Sequence, residues 1–177
     1  MIFKETKLTG AYLIETEPVT DSRGFFARTF CEQEFAAKGL KTSFVQCNIS
    51  FNHKKGTLRG MHYQIAPYPE AKLVRCTKGA IYDVIIDIRP ESPTFKQWIA
   101  AELTADNRRQ LYIPEGFAHG FQTLEDNSEV FYQMAEFYHP ESARGIRWND
   151  PAFGIEWPPA DHRIISPRDS AYEDFIP

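Results

Sequence analysis

Between Phe44 and Phe137 the chain is a run of short segments of alternating side-chain character, each closed by turn residues, and this pattern limits the fold more than any other feature. The segments are Phe44–Phe51, Leu58–Gln64, Leu73–Lys78, Ala80–Asp87, Trp98–Leu103, Gln110–Ile113, Gly120–Glu125 and Val130–Phe137. Turn-rich stretches such as Asn52–Gly56, Pro67–Glu70 and Pro90–Thr94 separate them. Many short strands at this spacing build a sandwich, jelly roll or barrel, because a βαβ fold would need helical stretches between its strands. An aromatic share of 14% fits, since flat side chains pack well on pleated faces. Upstream, Gly10–Val19 reads as an edge strand, Asp21-Ser22-Arg23-Gly24 as a turn, and Phe25–Phe30 as a return to extended chain. Cys31–Gly39 is the best helix, anchored by Phe35 and Leu40. From His139 the chain is rich in proline and tryptophan and is expected to wrap irregularly over the outside.

At 177 residues the expectation is a single domain over 1–177, with an N-terminal arm and the irregular C-terminal segment packed on a barrel. A net charge of -4 argues against a nucleic-acid partner, which would call for a basic face. There is no long apolar run for a membrane span. Met1–Leu13 carries Lys4, Glu5 and Lys7, unlike a signal peptide, so a cytoplasmic location is expected. Cys31, Cys47 and Cys76 are widely spaced with no CxxC pair, and are expected to be buried, unpaired thiols.

The chemistry concentrates in Gly56–Leu73, which holds Arg59, His62 and Lys72: an anion binder, a proton acceptor and a point charge. Ile113–Gln122 adds His119 behind Pro114 and Gly116. Two histidine turns in a strand-rich chain point to one pocket lined from two strands. Taken singly, each has a plainer reading, because a lone His on a strand is more often structural and a lone Lys is usually solvated.

The spacing Gly56-x5-His62, followed by Pro114-x-Gly116-x-x-His119, resembles the signature turns of the cupin superfamily, a jelly-roll β-barrel. Metal-binding cupins usually carry His-x-His in the first turn, so that several N/O ligands converge. His62-Tyr63-Gln64 lacks the second histidine, and no metal site is expected. A closer resemblance runs from about Phe3 to Asp169. Asp21-Ser22-Arg23-Gly24-Phe25-Phe26, Phe44 to Asn48, Gly56 to His62, Lys72-Leu73-Val74, Ile113 to Phe121, Tyr132, Trp148 to Pro151 and Ser166 to Asp169 are similar in order and spacing to the dTDP-4-dehydrorhamnose 3,5-epimerase family. The resemblance implies a mainly β fold, a cupin or jelly-roll β-barrel with a few short helices. It implies an enzyme, typically dimeric, that acts on a 4-keto-6-deoxyhexose linked to a nucleoside diphosphate and inverts C3 and C5 without metal or organic cofactor.

Residue by residue, the resemblance makes His62 the base, Asp169 the carboxylate that orients and charges it, Tyr132 the general acid and Lys72 the stabiliser of an enolate oxygen. A C4 ketone acidifies both neighbouring carbons, so inversion needs a base on one face and an acid on the other. His119 resembles the residue that hydrogen-bonds the sugar near its keto group. Arg59, Arg23 and Arg168 fall on pyrophosphate contacts, Gln46 and Asn48 on base and sugar contacts, and Tyr138 on the stacking platform. Arg23 and Phe26 correspond to residues that reach into the site of a second subunit.

Several positions depart from the family pattern. Arg28 stands where a glutamate is usual, Cys47 replaces the aspartate of a Q-D-N triplet, and Gln133 replaces a lysine. A nucleotide-side glutamate falls at Ala143, unless Glu141 takes its place. The recognition shell therefore leaves open the nucleotide and the number of carbons inverted. Other readings are a sugar-nucleotide 3,4-ketoisomerase, a metal-dependent cupin, and a sugar-nucleotide-binding module without turnover. The last sits poorly with retention of His62, Asp169, Tyr132 and Lys72, since binding alone needs neither acid nor base.

Overall fold

In the computed structural model, which describes residues Met1–Ile176, two antiparallel sheets face each other. The first has the order β1 (Ile2–Glu5), β2 (Tyr12–Glu15), β10 (Gln110–Ile113), β7 (Lys72–Lys78), β12 (Ser128–Met134), β5 (Gln46–Asn52). The second runs β13 (Ala143–Gly145), β6 (Thr57–Gln64), β11 (Phe117–Thr123), β8 (Ala80–Asp87), β9 (Trp98–Thr104), with β14 (Ile164–Ile165) joining β6 in parallel. A hairpin of β3 (Val19–Asp21) and β4 (Gly24–Phe26) pairs only with itself. Among the described residues helix is confined to α1 (Glu32–Ala36) and α2 (Pro167–Ser170). The chain changes sheet at almost every step from β5 to β13, which is the jelly-roll arrangement expected from the strand spacing. Because β6 and β7 are consecutive but lie in opposite sheets, residues close in sequence end up on facing walls.

Burial explains which strands sit where. Val74, Cys76, Leu111 and Ile113 of the first sheet meet Ile81, Ile85, Leu103, Phe117 and Phe121 of the second to form the central core. The second sheet is covered on its other face too: Met61, Val84, Ile86 and Ala118 pack beneath Ile146, Phe153 and Trp157 of the C-terminal segment. This is why β8 reads as a nearly continuous apolar run instead of alternating. The first sheet is capped by an aromatic cluster in which Phe35 of α1 meets Phe3, Phe30, Phe44 and Tyr112. β6 and β11 approach unusually closely where Gly60 lies beside Gly120. A Cβ on Gly60 would stand 2.5 Å from the Gly120 Cα, so neither position has room for a side chain.

Several expectations need correction. Gly10–Val19 is not an edge strand, because β2 lies between β1 and β10, and the edge is the unforeseen β1. The start of the presumed N-terminal arm is thus part of the first sheet. The helix is shorter than Cys31–Gly39, its last turn unwinding through Lys38 and Gly39 as their amides bond the carbonyls of Phe35 and Ala36. β11 begins at Phe117 and not at Gly120, so His119 stands in a strand and not in a turn, whereas His62 lies in β6 within the range read from the sequence. All three cysteines are free, but only Cys76 is buried; Cys31 is half-buried and Cys47 exposed. Burial pushes the Cys76 thiol up to about 11. Among the described residues no helix is long and apolar enough to cross a membrane.

Candidate active site

A cavity of about 450 Å³ opens between the sheets and gathers most of the residues singled out in the sequence. From the second sheet it receives Arg59 and His62 of β6 and His119 of β11; from the first, Gln46 and Asn48 of β5, Lys72 of β7 and Tyr132 of β12. Tyr138 and Arg168 stand on its lining as well. On the first sheet, period-two alternation places these side chains: in β5, Gln46, Asn48 and Ser50 turn inward while Cys47, Ile49 and Phe51 turn outward. On β6, Arg59 and His62 are three residues apart and both line the cavity where the pairing with β11 shifts register.

Each histidine is backed by a carboxylate. His62 and His119 are cross-strand partners on β6 and β11. His62 Nε2 lies 2.8 Å from Asp169 Oδ1, and His119 Nε2 lies 2.7 Å from Asp83 Oδ1. Asp169 reaches His62 because β14 docks the C-terminal segment on β6 and Ser166 caps the short α2, accepting from the Asp169 amide at 3.1 Å. Its second oxygen accepts from the Gly60 amide. Burial pushes the Asp169 carboxyl up, but the His62 hydrogen bond and charge, with Gly60 and Ser166, outweigh it and hold the group below the ordinary carboxylate value. The carboxylate therefore stays charged at neutral pH. An imidazole that gives Nε2–H to such a partner keeps its lone pair on Nδ1.

Lys72 is 7% exposed, and its Nζ lies 2.8 Å from Glu70 Oε1 and donates to the His62 carbonyl at 3.4 Å. This ammonium therefore bridges from the first sheet to the strand that carries His62. Burial raises the pKa of Tyr132 despite the opposing charge of Arg59, so the phenol keeps its proton through neutral pH. Arg59 is braced by Asn52, whose Oδ1 accepts from Nε at 2.8 Å. At the exposed mouth, hydrogen bonding to Tyr138 raises the pKa of Arg168. Four of the lining residues are cationic (Arg59, Lys72, Arg144, Arg168) against one carboxylate, Glu70, so the cavity favours an anionic ligand.

Arg23, Phe26, Arg28 and Cys47 do not line the cavity. Arg23 forks onto Asp21 within its own hairpin, and Phe26 is 76% exposed. Arg28 pairs with Glu34 of α1 at 2.7 Å. Cys47 is turned away by the alternation of β5. Ala143 lines the cavity, whereas the Glu141 carboxylate is occupied by His139 at 3.1 Å. Asp83 and Glu70 were not anticipated. A single aspartate inside the apolar run of β8 could have revealed the first, since a buried carboxylate needs a partner. Glu70 lay in a presumed turn and gave no such signal.

The family model for dTDP-4-dehydrorhamnose 3,5-epimerase matches residues 5–176. The chain belongs to this family. It is 44% identical over 173 residues to the dTDP-4-dehydrorhamnose 3,5-epimerase of Shigella flexneri, covering 97% of this chain and 94% of that one. The crystal structure of the Bacillus anthracis dTDP-4-dehydrorhamnose 3,5-epimerase, with TDP and PPi bound, superposes with a TM-score of 0.93 at 42% identity, covering 98% of this chain and 100% of the other. The Legionella pneumophila dTDP-6-deoxy-D-glucose-3,5-epimerase, in complex with dTDP-4-keto-L-rhamnose, superposes at 0.91 with 38% identity, covering 98% and 92%. Membership in the epimerase family and a positively lined cavity with two carboxylate-backed histidines point in one direction.

Proposed function

We propose that this chain is an epimerase of a dTDP-linked 4-keto-6-deoxyhexose, inverting C3 and C5 through an enolate. The observation that carries the reading is the placement of His62 and Tyr132 on opposite sheets of one cavity, with Lys72 between the walls. His62, through Nδ1, takes the proton next to the C4 ketone, and Asp169 stabilises the imidazolium that forms. The electrons of the broken C–H bond pass to the C4 oxygen, where the Lys72 ammonium meets the developing charge. Tyr132, kept neutral by burial, returns a proton from the opposite face. His119, fixed by Asp83, hydrogen-bonds the sugar. Arg59 and Arg168 hold the diphosphate by paired N–H donors, with Tyr138 beneath the base and Gln46 and Asn48 along the nucleoside.

The same reading includes a homodimer. The outward face of β5 leaves Ile49 and Phe51 exposed, with Val45 exposed just before the strand, and the β3–β4 hairpin exposes Val19, Phe25 and Phe26. Both features suit burial against a second copy, which would carry Arg23 and Phe26 to the neighbouring cavity and complete its diphosphate end. A cytoplasmic location goes with a charged nucleotide substrate and free thiols.

The test is solvent exchange. In heavy water the protein should place deuterium at both C3 and C5 of a dTDP-4-keto-6-deoxyhexose; no exchange with dTDP-, CDP-, UDP- or GDP-linked forms overturns the reading. A product whose carbonyl has moved to C3 identifies the ketoisomerase instead. For the dimer, mixing inactive His62→Asn chains with weakly binding Arg23→Ala chains should restore a wild-type KM to about a quarter of the sites through mixed dimers. No recovery after mixing excludes sharing of the site.

A further inference from the structure

The cross-strand partner of His62 on β13 is Gly145, and in an antiparallel pair the two side-chain positions share one face. The place where a side chain at 145 would stand is filled by another residue. A Cβ there would lie 2.1 Å from Tyr172 Cζ and 2.2 Å from its Cε2. Tyr172 thus seats its ring over the bare glycine, and that ring stands edge-on to the His62 imidazole, with centroids 6.1 Å apart and planes at 76°. It comes from the same turn as Asp169, three residues further on, just past the end of α2. One short segment therefore delivers both the carboxylate at His62 Nε2 and the ring against its side.

We propose that Tyr172, admitted by Gly145, is a positioning residue for His62: its ring closes off rotation of the imidazole, so that Nδ1 stays presented to the cavity. The inference rests on the reading of His62 as the base. The Tyr172 hydroxyl is not part of the device. Among the described residues it is buried with no partner in hydrogen-bond geometry, and its interaction with Arg168 only partly opposes the burial that raises the phenol's pKa. A hydroxyl left unpaired costs stability, so packing and not hydrogen bonding is what this side chain contributes. Edge-to-face aromatic contact is directional, and an aliphatic side chain of similar bulk would fill the slot without fixing the plane of the imidazole.

The experiment compares Tyr172→Phe, Tyr172→Leu and Gly145→Ala with wild type. It reads kcat and KM for C–H exchange, the pH profile of kcat, and the ring NMR shifts of His62. Tyr172→Phe should keep kcat within about twofold and melt no lower than wild type, because it loses only an unsatisfied group. Tyr172→Leu should lower kcat about tenfold or more at nearly unchanged KM, as expected when a reacting group is misplaced. It should also displace the His62 ring resonances and the base limb of the pH profile. Gly145→Ala should act in the same direction by expelling the ring. Leu at 172 with wild-type kcat, pH profile and His62 resonances overturns the proposal. So does a loss confined to KM, or a loss shared equally by Phe. If wild type shows no exchange at all, the epimerase reading has failed, and the His62 resonances alone then decide whether Tyr172 fixes the ring.

Discussion

The floor of the cavity and its rim are built on different terms. On the floor, His62, His119 and Lys72 each rest on a carboxylate of the same chain, and these carboxylates, Asp169, Asp83 and Glu70, are at most 7% exposed. At the rim, Arg23, Phe26, Arg28 and Tyr138 are exposed and are held by surface pairs or by nothing. Pairs of the first kind are fixed by desolvation, because separating them strands a buried charge; surface pairs contribute little and exchange partners freely. On the proposed reading, chemistry is organised within one chain, while recognition is left to residues that a ligand or a second copy can still arrange.

The sharpest way to break that contrast is at His62. His62→Asn should lower exchange by about 10³-fold or more while the melting temperature stays close to wild type, since it removes acid–base chemistry but leaves a donor for Asp169. Activity within tenfold of wild type would remove His62 from the reaction. Next is Lys72→Met, which leaves Glu70 buried without its partner and should cost about 3–5 kcal/mol in denaturant unfolding; adding Glu70→Gln should recover much of it. Equal stability of the single and double variants would mean that the floor is not held by this pair. At the rim, Arg23→Ala should raise KM about tenfold with kcat and stability nearly unchanged, as for loss of one diphosphate contact. A fall in kcat with KM constant would put Arg23 on the floor's side of the comparison.

The smallest effect is on acid stability. The folded Asp169 pKa lies below its unfolded value, so its contribution is fully present above the ordinary carboxylate range and is lost as pH falls through the lower folded value. Wild type should lose stability more steeply than Asp169→Asn as the pH is taken through that range; parallel curves would show that the His62 pair adds nothing to folding.

Much of this arrangement was legible in the letters, for a physical reason. β8 and β10 coincide with the ranges read from the sequence, because their apolar runs are bounded by Gly79, Asp87 and Pro114. β11 was clipped at its start because Phe117-Ala118-His119-Gly120 is buried on both faces and small side chains blur the alternation. β1, with one half-buried residue in four, has almost no pattern to read. Within the site, His62 stood out inside a strand, Lys72 just ahead of one, and His119 behind Pro114 and Gly116. Asp83 and Glu70 act through partners distant in sequence or hidden by a turn. Tyr172 could not be foreseen at all, since its slot exists only where β13 lies beside β6.

Asp169 and Tyr172 both follow every strand in order of synthesis, yet both grip a side chain on β6. The two sheets are therefore complete in sequence before either group that holds the imidazole has been added. A product clipped just after Ile165 would keep every strand of both walls and lack both groups that grip His62; with that imidazole as the proposed base, such a product should bind but turn nothing over.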